Sequence, residues 1–209
     1  MHIIALTTFL ITHVISPLKL MTKPKTKILG VTGMPGSGKS EFAHFAEELG
    51  YHTVVMGDVI RAKIIEKGYE PTPEMSAKYM IQLREEFGET AVAHLTCIAI
   101  DKMVAEGKNR LVIDGIRSQS EVTHFRNHLN NSFVIIAIHV DPELRFKRLK
   151  VRGRKDAPIT ENDFIKRDEA ELKLGLGETI AFSNYIIPNN KTLDDFKEKS
   201  FSLLKELEG

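Results

Sequence analysis

Residues 33–40 read Gly-Met-Pro-Gly-Ser-Gly-Lys-Ser, a complete G-x-x-x-x-G-K-[ST] pattern. The chemistry this run supports is the holding of a nucleoside triphosphate. Glycines at these spacings let the backbone curl so that successive N–H groups face one anion, and a helix that follows adds the positive end of its dipole. Lys39 can reach the β- and γ-phosphates, and Ser40 can hold Mg²⁺. The predicted triphosphate cradle is therefore Gly33, Met34, Pro35, Gly36, Ser37, Gly38, Lys39 and Ser40.

Phosphoryl transfer needs positioning, Mg²⁺ and cations around the moving group, and little covalent help from the protein. Asp58-Val-Ile-Arg61 follows a strand-like run through Gly57. Asp58 can cap the next helix, and Arg61, one turn on, can clamp an acceptor phosphate. Asp114-Gly115-Ile116-Arg117 follows the apolar run Leu111-Val-Ile113. A carboxylate ending a buried strand is costly unless something uses it. Asp114 is expected to serve Mg²⁺ together with Ser40, and Arg117 to face the acceptor. Arg145, Arg148, Arg152 and Arg154 crowd one segment, and the first three fall on one helix face. They are expected to form a lid over the triphosphate, with Arg148 and Arg152 neutralising the transferring group and Arg167 closing from the other side. The loop Ser183–Asn190 can border a nucleobase.

Stepping outward, the elements that must position these residues alternate between strand and helix patterns, which indicates a parallel sheet with crossover helices. Strands are expected at 26–31, 52–56, 110–114, 133–140 and 184–187. Helices are expected at 39–49, 58–67, 73–86, 88–106, 118–129, 142–150, 160–174 and 192–207. Thr160 with Asp163 three residues on reads as a capping box. The expected fold class is a three-layer α/β phosphate-loop fold with a five-stranded parallel sheet in the order 2-3-1-4-5. Ligands of such sheets bind outside the carboxyl ends of the strands. That places a helical insert at 58–106 as the acceptor-binding element and 145–167 as the lid.

The 209-residue chain suits one α/β domain. Its net charge of +1 argues against a global polyanion-binding surface, so DNA is not an expected partner. A single cysteine, Cys97, excludes an internal disulfide and a Cys-rich zinc site. It lies in an apolar helical pattern and reads as a buried small hydrophobe. Residues 1–20 are apolar but broken by His2, His13 and Lys19, too short and interrupted for a membrane span. Residues 1–23 are read as an extension, poorly ordered or upstream of a native start near Met21, with the domain at 24–209. The expected location is the cytoplasm, without a membrane partner, as a monomer or homodimer.

These segments together resemble the nucleoside monophosphate kinase group. Gly57-Asp58-x-x-Arg61 looks like the acceptor segment of adenylate kinases, and Asp114-Gly115-Ile116-Arg117 like their Asp-Gly-Phe-Pro-Arg segment, one residue shorter. Arg148 and Arg152 look like lid arginines. The runs Met-Gly-Asp-Val-Ile-Arg, Leu-Arg-Glu-Glu-Phe-Gly and Asp-Gly-Ile-Arg-Ser are similar to an archaeal family of adenylate-kinase-related nucleotide kinases, over roughly residues 26–205. Dephospho-coenzyme A kinases share the fold and carry Ala-Asp-x-x-x-x-Asn near the end; here Ser183-Asn184 replaces Ala-Asp, while Asn189 matches. The resemblance implies ATP as donor and Mg²⁺ as cofactor, with Asn189 near the donor. It implies a nucleoside monophosphate or a nucleotide-like acceptor, dephospho-coenzyme A being the alternative. A second alternative is an ATPase or nucleotide switch working with a protein or RNA partner. Two arginines on separate strand ends favour a second bound anion, and hence a small-molecule nucleotide acceptor.

Overall fold

The computed structural model describes residues 26–129, 133–152 and 160–208. The extension expected at 1–23, and the part of the expected lid that holds Arg154, lie outside the described residues. Five parallel strands run β1 (Lys27–Thr32), β2 (His52–Val55), β3 (Arg110–Asp114), β4 (Val134–His139) and β5 (Tyr185–Pro188). Their order is β2-β3-β1-β4-β5, as the alternation predicts. The register pairs Val55 with Asp114 and Asp114 with Val31. Three strands therefore end at one level, and the segments leaving them emerge side by side.

The strands are apolar on both faces because both faces are covered. On one face, α1 (Lys39–Glu48) and α9 (Leu193–Glu206) pack through Phe42, Phe45, Phe196 and Leu204 against Leu29, Val31, Ile136 and Ile138. On the other, α2 (Met56–Glu66), α3 (Pro73–Phe87), α4 (Ala91–Ala105) and α5 (Gln119–Leu129) bury Ile60, Ile64, Ile100 and Phe125 against Leu111, Ile113 and Ile135. The remaining helices are α6 (Pro142–Arg152), α7 (Glu161–Lys173) and α8 (Leu176–Ala181). Cys97 is buried in the second layer, and burial pushes its thiol up to about 12, so it stays protonated and inert. No helix among the described residues is long and apolar enough to cross a membrane.

The caps follow their sequence signals with one exception. Thr160 and Asp163 form the expected capping box at the start of α7. Helix α2 begins at Met56, directly after β2, and its N-cap is Val55. Asp58 therefore lies within the first turn and caps nothing, contrary to the sequence reading; its charge still suits the positive end of the helix. Helix α8 has no counterpart in the sequence reading. Gly175, at φ +94°, ends α7 and restarts the chain as this short helix.

Gly30 marks where the layers press closest. A Cβ there would sit 2.6 Å from both Ile116 Cδ1 and Phe133 Cζ. We expect Gly30→Ala to overpack this junction and cost about 1–3 kcal/mol, seen as a lowered urea midpoint at unchanged slope.

Candidate functional site

The loop between β1 and α1 is held from behind through its carbonyl oxygens. Lys39 Nζ donates to the carbonyls of Gly33 (2.7 Å) and Met34 (3.3 Å). Arg145 Nη1 donates to Pro35 O at 3.2 Å. Asn189 Nδ2 donates to Ser37 O at 2.9 Å, and Phe42 N–H to Gly38 O at 3.0 Å. Gly38 sits at φ +105°, and a Cβ there would lie 2.5 Å from Asn189 Nδ2. Only glycine meets both the left-handed backbone and the close approach. Ser37 is fully buried, with its Oγ unpartnered.

A cavity of about 380 Å³ opens in front of this loop. It gathers Gly33, Pro35, Gly36, Lys39 and Ser40 from the loop, Gly57 and Arg61 from α2, Asp114 and Arg117 from the β3 exit, and Arg152 from α6. Of the predicted acceptor and triphosphate residues, Arg61, Arg117, Gly33, Pro35, Gly36, Lys39 and Ser40 thus share one space, whereas Met34, Ser37, Gly38 and Asp58 do not line it. Asp58 stands at its rim through Arg61, whose Nε donates to Asp58 Oδ1 at 2.9 Å. Gly57 leaves room for that guanidinium, since a Cβ there would come within 3.3 Å of Arg61 Nη1. Arg117 pairs with Glu171 at 3.5 Å.

Lys39 and Asp114 shape the electrostatics. Burial depresses the Lys39 ammonium below its ordinary value, while the carboxylates of Asp114 and Glu171 work against that shift. Asp114 is buried, and desolvation raises its carboxyl above the usual carboxylate range; Lys39, Arg117 and Arg152 pull it back down. Its Oδ1 is buried without a hydrogen-bond partner. An orphaned carboxylate oxygen facing the same cavity as the Ser40 hydroxyl fits a hard, oxygen-seeking cation. Among the described residues no cluster of three or more His, Cys, Asp or Glu side chains could hold a metal by itself. The residues present suit Mg²⁺, which keeps several waters and binds through one or two protein oxygens plus phosphates.

The three lid arginines among the described residues, Arg145, Arg148 and Arg152, do different things. Arg145 is a brace: it is 3% exposed, forms a bidentate pair with Asp168 of α7 (2.9 and 2.6 Å), and lies 4.9 Å from the Phe164 ring. Arg145 therefore leaves the predicted cationic face; a helix-face count shows its direction but not that Asp168 waits there. Arg148 Nη2 donates to Asn189 O at 3.0 Å and to Asn189 Oδ1 at 3.3 Å. Asn189, placed near the donor by resemblance, underpins the loop with its own amide and links it to Arg148. Arg152 lines the cavity and acts on Asp114.

Sequence reasoning missed Arg84, Met80 and Ser76 of α3, Glu121 of α5 and Glu171 of α7, all of which line the cavity. Ser76, Met80 and Arg84 repeat every four residues, a stripe on one helix face that could have been read. Ser118-x-x-Glu121 has capping-box spacing. Ser118 Oγ accepts the Glu121 N–H (3.3 Å), and Glu121 Oε2 accepts the Arg117 N–H (2.8 Å).

A family model described as AAA domain matches residues 32–164. A UPF0200 protein of Thermococcus kodakarensis is 42% identical over 183 residues, spanning 86% of this chain and 97% of the relative. A UPF0200 protein of Methanocaldococcus jannaschii is 38% identical over 180 residues, 86% of this chain and 90% of the relative. These are archaeal proteins, as the resemblance in the sequence implies. Among solved structures, TT1252 from Thermus thermophilus superposes with a TM-score of 0.64 at 18% identity, over 88% of this chain and all of that one (100%). Shikimate kinase from Acinetobacter baumannii, in complex with shikimate, gives 0.53 at 17% identity, over 88% and 94%. A gluconokinase from Sinorhizobium meliloti gives 0.52 at 14%, over 87% and 93%. These likenesses show a phosphate-loop kinase-like fold.

The Arg145–Asp168 pair yields a stability prediction. Arg145→Met strands a carboxylate and should cost about 3–5 kcal/mol, whereas adding Asp168→Leu should recover most of that loss. Urea unfolding of the two variants measures the difference.

Proposed function

This chain belongs to the UPF0200 family and, over residues 32–164, to the AAA domain family, and we propose that it is a phosphotransferase. In this reading it moves the γ-phosphoryl group of ATP to a nucleoside monophosphate or similar phosphate-bearing acceptor. The observation that carries the reading is the single cavity in which a triphosphate loop, a buried carboxylate and two strand-exit arginines meet. A hydrolase needs only the first two; Arg61 and Arg117 give a second anion its own clamp.

The roles follow from position. Backbone N–H groups of 34–40, Pro35 having none, and Lys39 hold the triphosphate, and Lys39 exchanges its two loop carbonyls for phosphate oxygens. Ser40 and Asp114 would hold Mg²⁺, directly or through water, and the ion would neutralise charge on the phosphates. Arg61 and Arg117 orient the acceptor after it displaces Asp58 and Glu171 from them. Arg152, which lines the cavity, would neutralise the transferring group, whereas Arg148 does not line it and is tied to Asn189. The acceptor phosphate oxygen forms a bond to the γ-phosphorus as the bond to the β,γ-bridging oxygen breaks, and ADP departs. An acceptor that is already a phosphate anion requires no general base. Were the acceptor a hydroxyl, as in dephospho-coenzyme A, Asp58 or Asp114 would be the candidate base.

The test is ADP production by the full chain with Mg·ATP and AMP, GMP, CMP, UMP, dephospho-coenzyme A or no acceptor. Strong stimulation by one acceptor, lost in Lys39→Ala, is the expected result. Equal slow turnover in every well would overturn the reading in favour of a partner-dependent ATPase. A second expectation concerns Asp114. Its carboxyl must be ionised to serve the metal and burial raises it in the metal-free protein, so Mg²⁺ should bind more weakly as pH falls through and below that raised range, as calorimetric titration with Mg²⁺ at several pH values would show. Asp114→Asn should lower the rate about 10–100-fold at limiting Mg²⁺.

A further inference from the structure

We propose that Arg84 and Glu121 read the base of the acceptor and that the acceptor is a guanine nucleotide. The inference rests on the phosphotransfer reading above and supplies its substrate class.

Arg61, Arg117, Arg145 and Arg148 each have a partner: Asp58, Glu171, Asp168 and Asn189. Arg84 differs. It lines the cavity, its Nε is buried, and among the described residues its guanidinium makes no hydrogen bond or ion pair. Glu121 feels the Arg84 cation without bonding to it: burial raises the Glu121 carboxyl, and Arg84 and Arg117 work against that rise. Glu121 is itself 2% exposed. The backbone N–H of Arg117 takes part of its capacity. A carboxylate offers about four lone-pair sites, so it has capacity left for a ligand in the cavity it lines.

An arginine offers only donors and an ionised carboxylate only acceptors. A ligand lying against both must present acceptors to one and donors to the other. The same cavity is lined by Ile60, Met80, Val92 and Ile116. These walls suit a flat, largely apolar ring better than a polyol. Guanine carries O6 and N7, the pair that arginine grips bidentately, and beside them the adjacent N1–H and N2–H donors for a carboxylate. Adenine is the wrong complement. Its amino group would face the donors of Arg84, and its N1 lone pair would face the carboxylate. Cytosine fails in the same way. Uracil offers one donor where guanine offers two, and it lacks N7.

The experiment is calorimetric titration of the full chain with GMP, IMP, AMP, CMP and UMP, the phosphate loop being saturated with a non-hydrolysable ATP analogue. GMP should bind most tightly. IMP, which lacks the 2-amino group, should bind about tenfold more weakly, the size of one lost base contact. Arg84→Met and Glu121→Gln should each weaken GMP about 10–100-fold while leaving AMP within about threefold. Glu121 also holds the start of α5, so the IMP-to-GMP ratio on the unaltered chain supplies a test that no folding defect can touch. AMP, CMP or UMP binding as tightly as GMP, IMP equal to GMP, or no monophosphate bound would overturn the proposal. The two readings fail separately. GMP bound without phosphoryl transfer removes the kinase and leaves the base reading; transfer to AMP in preference does the reverse.

Discussion

Everything in this site depends on a loop that must turn its N–H groups toward an anion. Apart from the Ser37 N–H, which meets Met34 O at 3.1 Å, such a loop has to keep those N–H groups for the anion and be held by its carbonyls. Lys39 takes the oxygens of Gly33 and Met34, Arg145 that of Pro35, Asn189 that of Ser37, and the Phe42 amide that of Gly38. The braces come from α1, α6 and the β5 exit, elements scattered along the chain. The parallel sheet brings them behind one turn, and the shared level at which β1, β2 and β3 end brings Arg61 and Arg117 in front of it.

Charge is the second organising feature. The cavity collects several arginines and one partly buried lysine, which would repel one another in the absence of an anion. Carboxylates stand in: Asp58 beside Arg61, Glu171 beside Arg117, and Asp114 near Lys39. Each stand-in can yield to a phosphate, which offers more lone pairs and more charge than a carboxylate. Arg145 is different because Asp168 holds it on both nitrogens in a buried setting. One segment thus divides its cations between architecture and ligand.

The sheet order and most helices were legible because the apolar runs and the caps are local signals. The phosphate loop was legible because its chemistry dictates four positions at fixed spacing within eight consecutive residues. Arg61 and Arg117 could be found because each follows a strand end, where ligands of parallel sheets bind. Arg84 and Glu121 were not found, since neither lies at a strand end. They reach the cavity only through the packing of α3 and α5 against α2 and α4. Arg145 was misassigned because the helix period reveals a face and not the carboxylate that meets it across 23 residues of sequence. Helix α8 escaped because a six-residue helix opened by glycine has no amphipathic period to read.

The central claim is that donor and acceptor anions occupy one cavity at the same time. Calorimetry with a bisubstrate compound, adenosine and guanosine joined through a pentaphosphate chain, tests it most directly. The account predicts one molecule bound per chain, with an affinity far above that of ATP or GMP alone, because the second contact becomes intramolecular. An affinity no better than that of ATP, unchanged when the guanosine is removed, would contradict it.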